Sequence, residues 1–261
     1  MKRNSDKQHW EDFWASKEQV DDIYSNADRV LSHLQNAVNL SGKKILEVGA
    51  GTGRDGLRLV DLGATVFLLD YSDRSLEMMK EIIAQEKKQV FLIKADAEAL
   101  PIKENALDVV FHQGLLEHFR DPIPLLNENY RVLDRGGVCL IDVPQRYHIY
   151  TLLKHILILM NAWFAGWETE FSVRQLRNLL QGVGFDMRSF YGDWMRPSLL
   201  YRLLREVFKR IGIRLPMYPK GITILRNLRA QIRTRITKHS WSWYTCLDLG
   251  AIAEKPQEER A

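Results

Sequence analysis

The sequence predicts an α/β protein built on a doubly wound parallel sheet. Three observations lead there. Short strand-like runs alternate with helical patterns from residue 44 to residue 143, the runs are apolar at nearly every position, and the first ends in a glycine-rich turn. Alternating strands and helices pair in parallel through right-handed crossovers. A strand without polar alternation is one covered on both faces.

The elements follow in order. Residues 1–40 read as a helical cap: Trp10, Phe13 and Trp14 cluster, and Val30, Leu31, Leu34 and Val38 recur at helical spacing. Lys44 to Val48 is the first strand, and a helix from Arg54 to Leu62 stops at Gly63. Thr65 to Leu69 is the second strand, ending at Asp70, and Ser72 or Asp73 caps a helix to about Gln85. Val90 to Ile93 and Leu107 to Phe111 are strands three and four. A helix from about Pro124 to Leu133 is stopped by Gly136-Gly137, and Val138 to Val143 is strand five, closed by Pro144.

Beyond Pro144 the alternation is interrupted. Ile149 to Trp167 is an apolar helical stretch carrying Lys154, His155 and Asn161. Ser172 caps a helix to about Gly182, Phe185 to Tyr191 is strand six, and Trp243 to Ala253 is the last strand. The expected organisation is a cap over 1–40, a core over 41–145 and an apolar insertion over 146–171. The remainder of the core spans 172–261 and carries a basic helical insertion over about 194–240.

Composition narrows the class. At 261 residues and 46% apolar content the chain carries a full core, which excludes a disordered or fibrous protein. The start, Met1 to Lys7, is polar and lacks the apolar run of a secretory signal. Cys139 and Cys246 make neither a disulfide framework nor a zinc-ligand spacing, so no metal is expected and a reducing, cytoplasmic setting is.

The net charge of +4 is unevenly spread. Residues 194–239 hold 12 Lys and Arg against one acid, Glu206, a net of +11, which leaves −7 for the rest. Here Leu200, Leu203, Leu204, Val207, Phe208 and Ile211 form one helical stripe, and Leu225, Leu228, Ile232 and Ile236 another, each interleaved with arginines. Three readings stay open: helices capping the sheet, helices on an anionic membrane surface or around a hydrophobic acceptor, and RNA contact. RNA is the weakest, since no RNA-binding module is legible.

The turn Gly49-Ala50-Gly51-Thr52-Gly53 leads from strand to helix and lets a ligand approach the backbone. Asp70, 17 residues after Gly53, can accept hydrogen bonds from both hydroxyls of a ribose. Gly51 to Gly56 also fits the dinucleotide pattern G-x-G-x-x-G. A tight turn without a ligand is the plain alternative. Glu47, just before the turn, favours S-adenosylmethionine (SAM), a cation, over a pyrophosphate that it would repel. Asp96, after strand three, can accept from an adenine amino group, or simply cap a turn.

These residues resemble the SAM-dependent methyltransferase family that includes ubiquinone and menaquinone C-methyltransferases. The matching pieces are Leu46 to Gly53, Leu69 to Ser72, Ala95 to Pro101, Leu107 to Phe111, Leu115 to Pro122 and Arg131 to Gly137, in order over about residues 43–145. The resemblance implies a Rossmann-like sheet of seven strands with the last antiparallel. It places Glu47, Gly49, Gly51, Asp70, Tyr71, Asp96, Ala97 and Gln113 near SAM, and Ala50, Gly53, Ser72 and Glu98 belong to the same motifs. Arg135 stands where the family has proline. Residues 145–170 and 193–242 fall outside the motifs, and such insertions shape the acceptor site in this family.

Methyl transfer needs alignment above all, and a base only where the acceptor must lose a proton. His112, Glu117 and His118, near the end of strand four, are the candidates; packing is the plain alternative for His118. His148, Glu168 and Glu170, in the insertion, are further groups within reach. The expected partner is a small-molecule or lipid-like methyl acceptor, with an anionic membrane surface as a second. The aromatic N-terminal helix is either core packing or a lid that brings Tyr24 to the cofactor. A nicotinamide-dependent oxidoreductase and a non-catalytic SAM- or RNA-binding protein are the alternatives.

Overall fold

The computed structural model describes residues 7–15, 29–160, 163, 167–194, 199–216, 223–237 and 239–258. Tyr24 and Asn161 lie outside them. Helices α1 (Lys7–Ala15) and α2 (Arg29–Ala37) precede β1 (Lys44–Val48), α3 (Arg54–Val60), β2 (Thr65–Asp70), α4 (Asp73–Glu86) and β3 (Phe91–Lys94). Then come β4 (Leu107–Gln113), α5 (Ile123–Val132), β5 (Leu133–Pro144), α6 (Ile149–Leu159) and α7 (Val173–Val183). β6 (Asp186–Asp193), α8 (Leu199–Arg210), α9 (Thr223–Thr237) and β7 (Asp248–Glu254) complete the order. The seven strands form one sheet in the order β3-β2-β1-β4-β5-β7-β6. β7 runs antiparallel to both β5 and β6, while the other neighbours are parallel. The fold is therefore the Rossmann-like sheet with its last strand reversed.

Alternate residues of each strand feed two cores. Ile45, Val66, Leu68, Val109, Phe111 and Leu140 pack with α2, α3 and α4. Leu46, Val48, Val110, Cys139, Ile141 and Val143 pack with α5 and α7. The absence of polar alternation in the strands has this cause.

Three boundaries differ from the sequence reading. α5 ends at Val132 and Leu133, with extended backbone, begins β5, so Gly136-Gly137 lies inside a strand rather than stopping a helix. The register slips there, pairing Leu107 with Leu133 but Val109 with Val138, and Gly136 takes up the excess at φ 73°. At the far end the aromatic run Ser240–Tyr244 is a 3₁₀ turn and β7 begins only at Asp248; Trp243 packs on Phe190 instead of pairing in the sheet. The apolar helix of the insertion closes at Leu159 rather than running to Trp167.

A buried charge anchors α2. Arg29, 6% exposed, reaches Asp142 of β5 at 2.7 Å and Asp248 of β7 at 2.5 Å. Burial alone would lower the arginine's proton affinity, and the two carboxylates more than offset it. Burial raises Asp142 to about 7 against the pull of Arg29.

His112 lies in β4 beside Ile141, with no exposed surface and no hydrogen-bond partner for either ring nitrogen among the described residues. Burial lowers its pKa to about 3. This corrects its candidacy as a base: a ring sealed in the core reaches no acceptor. A histidine neutral when folded and protonated when unfolded makes stability fall as pH drops below about 6.5. His112→Leu should therefore gain about 2 kcal/mol relative to wild type on going from pH 7 to pH 5. Urea unfolding of both proteins at the two pH values measures this, and the difference cancels any pH-independent packing cost.

Candidate functional site

The crevice lies at the carboxyl ends of β1, β2 and β3. After Val48 the chain turns through Gly49, Gly51 and Gly53 at φ 65°, 57° and 66°. Asp70, at the end of β2, holds this turn. Its Oδ2 accepts from the Gly51 N–H at 2.9 Å and its Oδ1 from the Ser72 N–H at 3.0 Å. Ser75 Oγ donates to the Gly51 carbonyl at 2.6 Å, and the Ala50 N–H donates to Leu69 at 2.9 Å. The two βα turns are thus tied through both polar groups of one glycine. Burial raises the Asp70 pKa, and the N–H donors oppose that shift.

Glu47, buried in β1, accepts from the Gly56 N–H at 2.8 Å and so pins the first turn of α3. A methyl group on Gly56 would come within 2.7 Å of Glu47 Oε2 and would collide with Leu68. This glycine is needed for close approach, not for its backbone angle. Burial, then the Asp55 charge, pushes Glu47 well above the usual carboxylate range. A buried carboxyl of this kind favours a neighbouring cation, which restores its anion.

Asp96 lies two residues past β3 and is exposed; its Oδ1 accepts from the Glu98 N–H at 2.9 Å, so it does cap its own turn. Ala97 is buried and Glu98 exposed, and desolvation, then the Asp96 charge, raises the Glu98 pKa. Tyr71 and Gln113 are half-buried at the ends of β2 and β4. Strand neighbours bring these groups to one edge: Val48 pairs with Leu69 and Asp70 with Lys94. The crevice offers carboxylates for hydroxyl and amino donors and glycines for close approach, which fits an adenosyl cation.

Helix α1 roofs this crevice. Glu11 accepts from Ser72 Oγ at 2.9 Å and from the Asp73 N–H at 2.8 Å, at the start of α4. A methyl group on Gly51 would lie 2.8 Å from Trp14 Cζ2. Trp10 meets the His118 ring edge-on at 4.7 Å. One nine-residue helix therefore touches the turns after β1, β2 and β4.

Beyond β4, Leu115 lies over Gly49, where an added methyl would come 2.8 Å from Leu115 Cδ1. The following 3₁₀ turn, Leu116–His118, is tied to the insertion by the Thr169 N–H, which donates to the Glu117 carbonyl at 2.9 Å. Lys154 of α6 reaches inward to Glu168 at 2.9 Å and Glu170 at 2.6 Å. His155 meets Glu170 at 3.0 Å. Glu117 is 3% exposed, and its Oε2 has no hydrogen-bond partner among the described residues. Burial, then the Glu168 charge, raises Glu117 well above the usual carboxyl range. His118 Nδ1 lies 3.4 Å from the Trp167 carbonyl, and burial lowers its pKa. His148 caps α6 by accepting from the Tyr150 N–H at 3.1 Å, which engages that nitrogen in structure.

The geometry brings Glu117, His118, Glu168 and Glu170 together and leaves His112 apart. Glu11, Ser75 and Lys154 escape sequence reading because each acts through a partner distant in the chain. Gly51→Ala should cost about 1–2 kcal/mol from left-handed backbone strain, and its methyl group should push Trp14 away. Urea unfolding measures the first effect, and faster amide exchange over residues 8–15 reports the second.

Known proteins resemble this chain in sequence and fold. Residues 46–141 match the family model described as a methyltransferase domain. The chain is 39% identical over 103 residues to 2-methyl-6-phytyl-1,4-hydroquinone methyltransferase 1 of Oryza sativa subsp. japonica, covering 38% of this chain and 31% of that one. It is 28% identical over 229 residues to demethylmenaquinone methyltransferase of Staphylococcus aureus, covering 72% and 95%. The chain spans less than two thirds of the first three curated relatives it matches, at 31%, 63% and 44% of their lengths. Among solved structures, phosphoethanolamine N-methyltransferase 2 of Haemonchus contortus with bound SAM superposes with a TM-score of 0.64 at 19% identity, covering 95% of this chain and 60% of that one. Neither the oxidoreductase nor the non-catalytic alternative draws support from these likenesses. Residues 46–141 thus match a methyltransferase-domain model, and the chain has a Rossmann-like fold similar to that of solved SAM-dependent methyltransferases.

Proposed function

We propose that this chain transfers a methyl group from SAM to a small, largely apolar acceptor bound beside the 114–118 turn. The observation that carries the reading is Asp70 locked to the glycine turn at the crevice edge. Its oxygens accept from the Gly51 and Ser72 N–H groups, which hold the carboxylate at the end of β2 where a ribose hydroxyl would meet it. Glu47 would face the ammonium end and Asp96 the adenine amino group. SAM, when bound, supplies a methyl group on a sulfonium, ready for in-line displacement.

The chain's own residues then hold the acceptor in line, keep water out and receive a proton where the acceptor has one to lose. His118 suits proton acceptance, being neutral at neutral pH and partly exposed. Glu117, with a free buried oxygen, is the second candidate. Helix α1 would serve as the lid, and residues 145–240 would shape the acceptor site. The relatives' names, a 2-methyl-6-phytyl-1,4-hydroquinone and a demethylmenaquinone methyltransferase, favour a phenol- or quinol-like acceptor.

Calorimetric titration should show binding of SAM and S-adenosylhomocysteine but not NAD, and Asp70→Ala should weaken SAM binding by about 1–3 kcal/mol. NAD binding without either adenosyl compound would overturn the reading. His118→Asn should lower kcat by about 10²- to 10⁴-fold with the SAM dissociation constant unchanged. Because burial lowers the His118 pKa, activity should rise with pH along a limb centred below about 6.5 and flatten above it. Labelled SAM supplied to lysate fractions of lipid, RNA, protein and small molecules would identify the acceptor class.

A further inference from the structure

Helix α6 is inverted. An insertion helix ordinarily turns apolar residues to the core and polar ones to water. Here Lys154 and Thr151 are the buried residues, Lys154 at 2% exposure, held by Glu168 and Glu170. The outward face carries Ile149, Leu152, Ile156, Leu159 and Met160, exposed by 78, 67, 47, 84 and 70%. These positions follow helical spacing, so they form one convex apolar stripe.

The stripe belongs to a wider pattern. Of the 15 large hydrophobic residues exposed among the described residues, all but Phe91 fall between Tyr147 and Tyr244. Leu204, Val207, Leu228 and Ile232 lie on α8 and α9, inside the segment of net charge +11. Exposed apolar surface and positive charge are thus concentrated in the same part of the chain, while the rest is net negative. Contiguous exposed apolar patches mark interaction sites.

We infer that α6 docks in the interfacial layer of an anionic lipid bilayer, with α8 and α9 supplying electrostatic attraction. Charge decides the occupant. A second copy would set +11 against +11, whereas an anionic leaflet meets that segment with the opposite sign. A small acceptor fills a concavity and cannot cover a convex stripe three turns long. α6 lies on the bilayer rather than across it: 11 residues span about 16 Å, half of a hydrocarbon core of about 30 Å. Among the described residues no helix is long and apolar enough to cross a membrane. This inference does not depend on methyl transfer, since docking is measured without SAM.

The test is flotation of the full chain with vesicles of phosphatidylcholine alone or with about one third phosphatidylglycerol. Binding to the anionic vesicles should exceed binding to the neutral ones at least tenfold at low salt, and should fall toward the neutral level near 1 M salt, where charges are screened beyond about 3 Å. The double variant Leu152→Glu/Leu159→Glu should lower anionic-vesicle binding at least tenfold with an unchanged thermal midpoint, because both side chains already face solvent. Lys209→Glu/Arg235→Glu, at two exposed sites on α8 and α9, should weaken low-salt binding and flatten its salt dependence. Equal binding to both vesicles, no binding at low salt, or indifference to the α6 substitutions would overturn the inference. So would a wild-type dimer in sedimentation equilibrium that Leu152→Glu/Leu159→Glu dissociates, which would assign the stripe to a second copy.

Discussion

The crevice depends on one carboxylate. Asp70 joins the turn after β1 to the turn after β2, and without it the Gly51 N–H, already in a left-handed bend, would lose its acceptor in a buried place. From that point the constraints spread outward. Ser72, fixed by Asp70, presents its hydroxyl to Glu11, which brings α1 down over the crevice. Ser75 closes the loop on the Gly51 carbonyl. Glycine turn, helix start and roof are consequences of the same few hydrogen bonds, so the site is organised before any ligand enters it.

Two buried cations attach the parts that are not strands. Arg29 binds α2 to the ends of β5 and β7, and Lys154 binds α6 to Glu168 and Glu170. A buried pair adds little net stability over an apolar substitute, yet removing one partner costs about 3–5 kcal/mol. Such pairs therefore fix position. Lys154 determines which face of α6 looks inward, and so dictates that its leucines and isoleucines look out.

The parallel core was legible because its strands are short apolar runs separated by strong helix and turn signals. Ser72, Ser172 and the glycine turn act as their local chemistry required. The carboxylates proposed for the cofactor, Glu47, Asp70 and Asp96, were legible for the same reason, since each lies at or just past the end of a strand. Three things were not. The break after Val132 and the late start of β7 depend on register with neighbouring strands, which local propensity does not encode. The roof made by Glu11 and Trp14 depends on contacts 37 or more residues away. His112 reads as a base by its chemistry, and only the packing against Ile141 shows it sealed in apolar surroundings.

The reversed strand governs how the chain can fold. β6 pairs only with β7, and β7 lies between β5 and β6. During synthesis, then, β6 has no strand to join when it emerges, and its apolar residues Phe190 and Tyr191 must wait while α8 and α9 are made. The parallel half, β1 to β5, can assemble from nearby segments, whereas the other edge closes only through a long-range antiparallel insertion. High contact order of this kind slows folding and leaves a half-built sheet edge open to wrong pairing. The nascent form of this chain therefore needs protection longest at the end of the sheet farthest from the glycine turn.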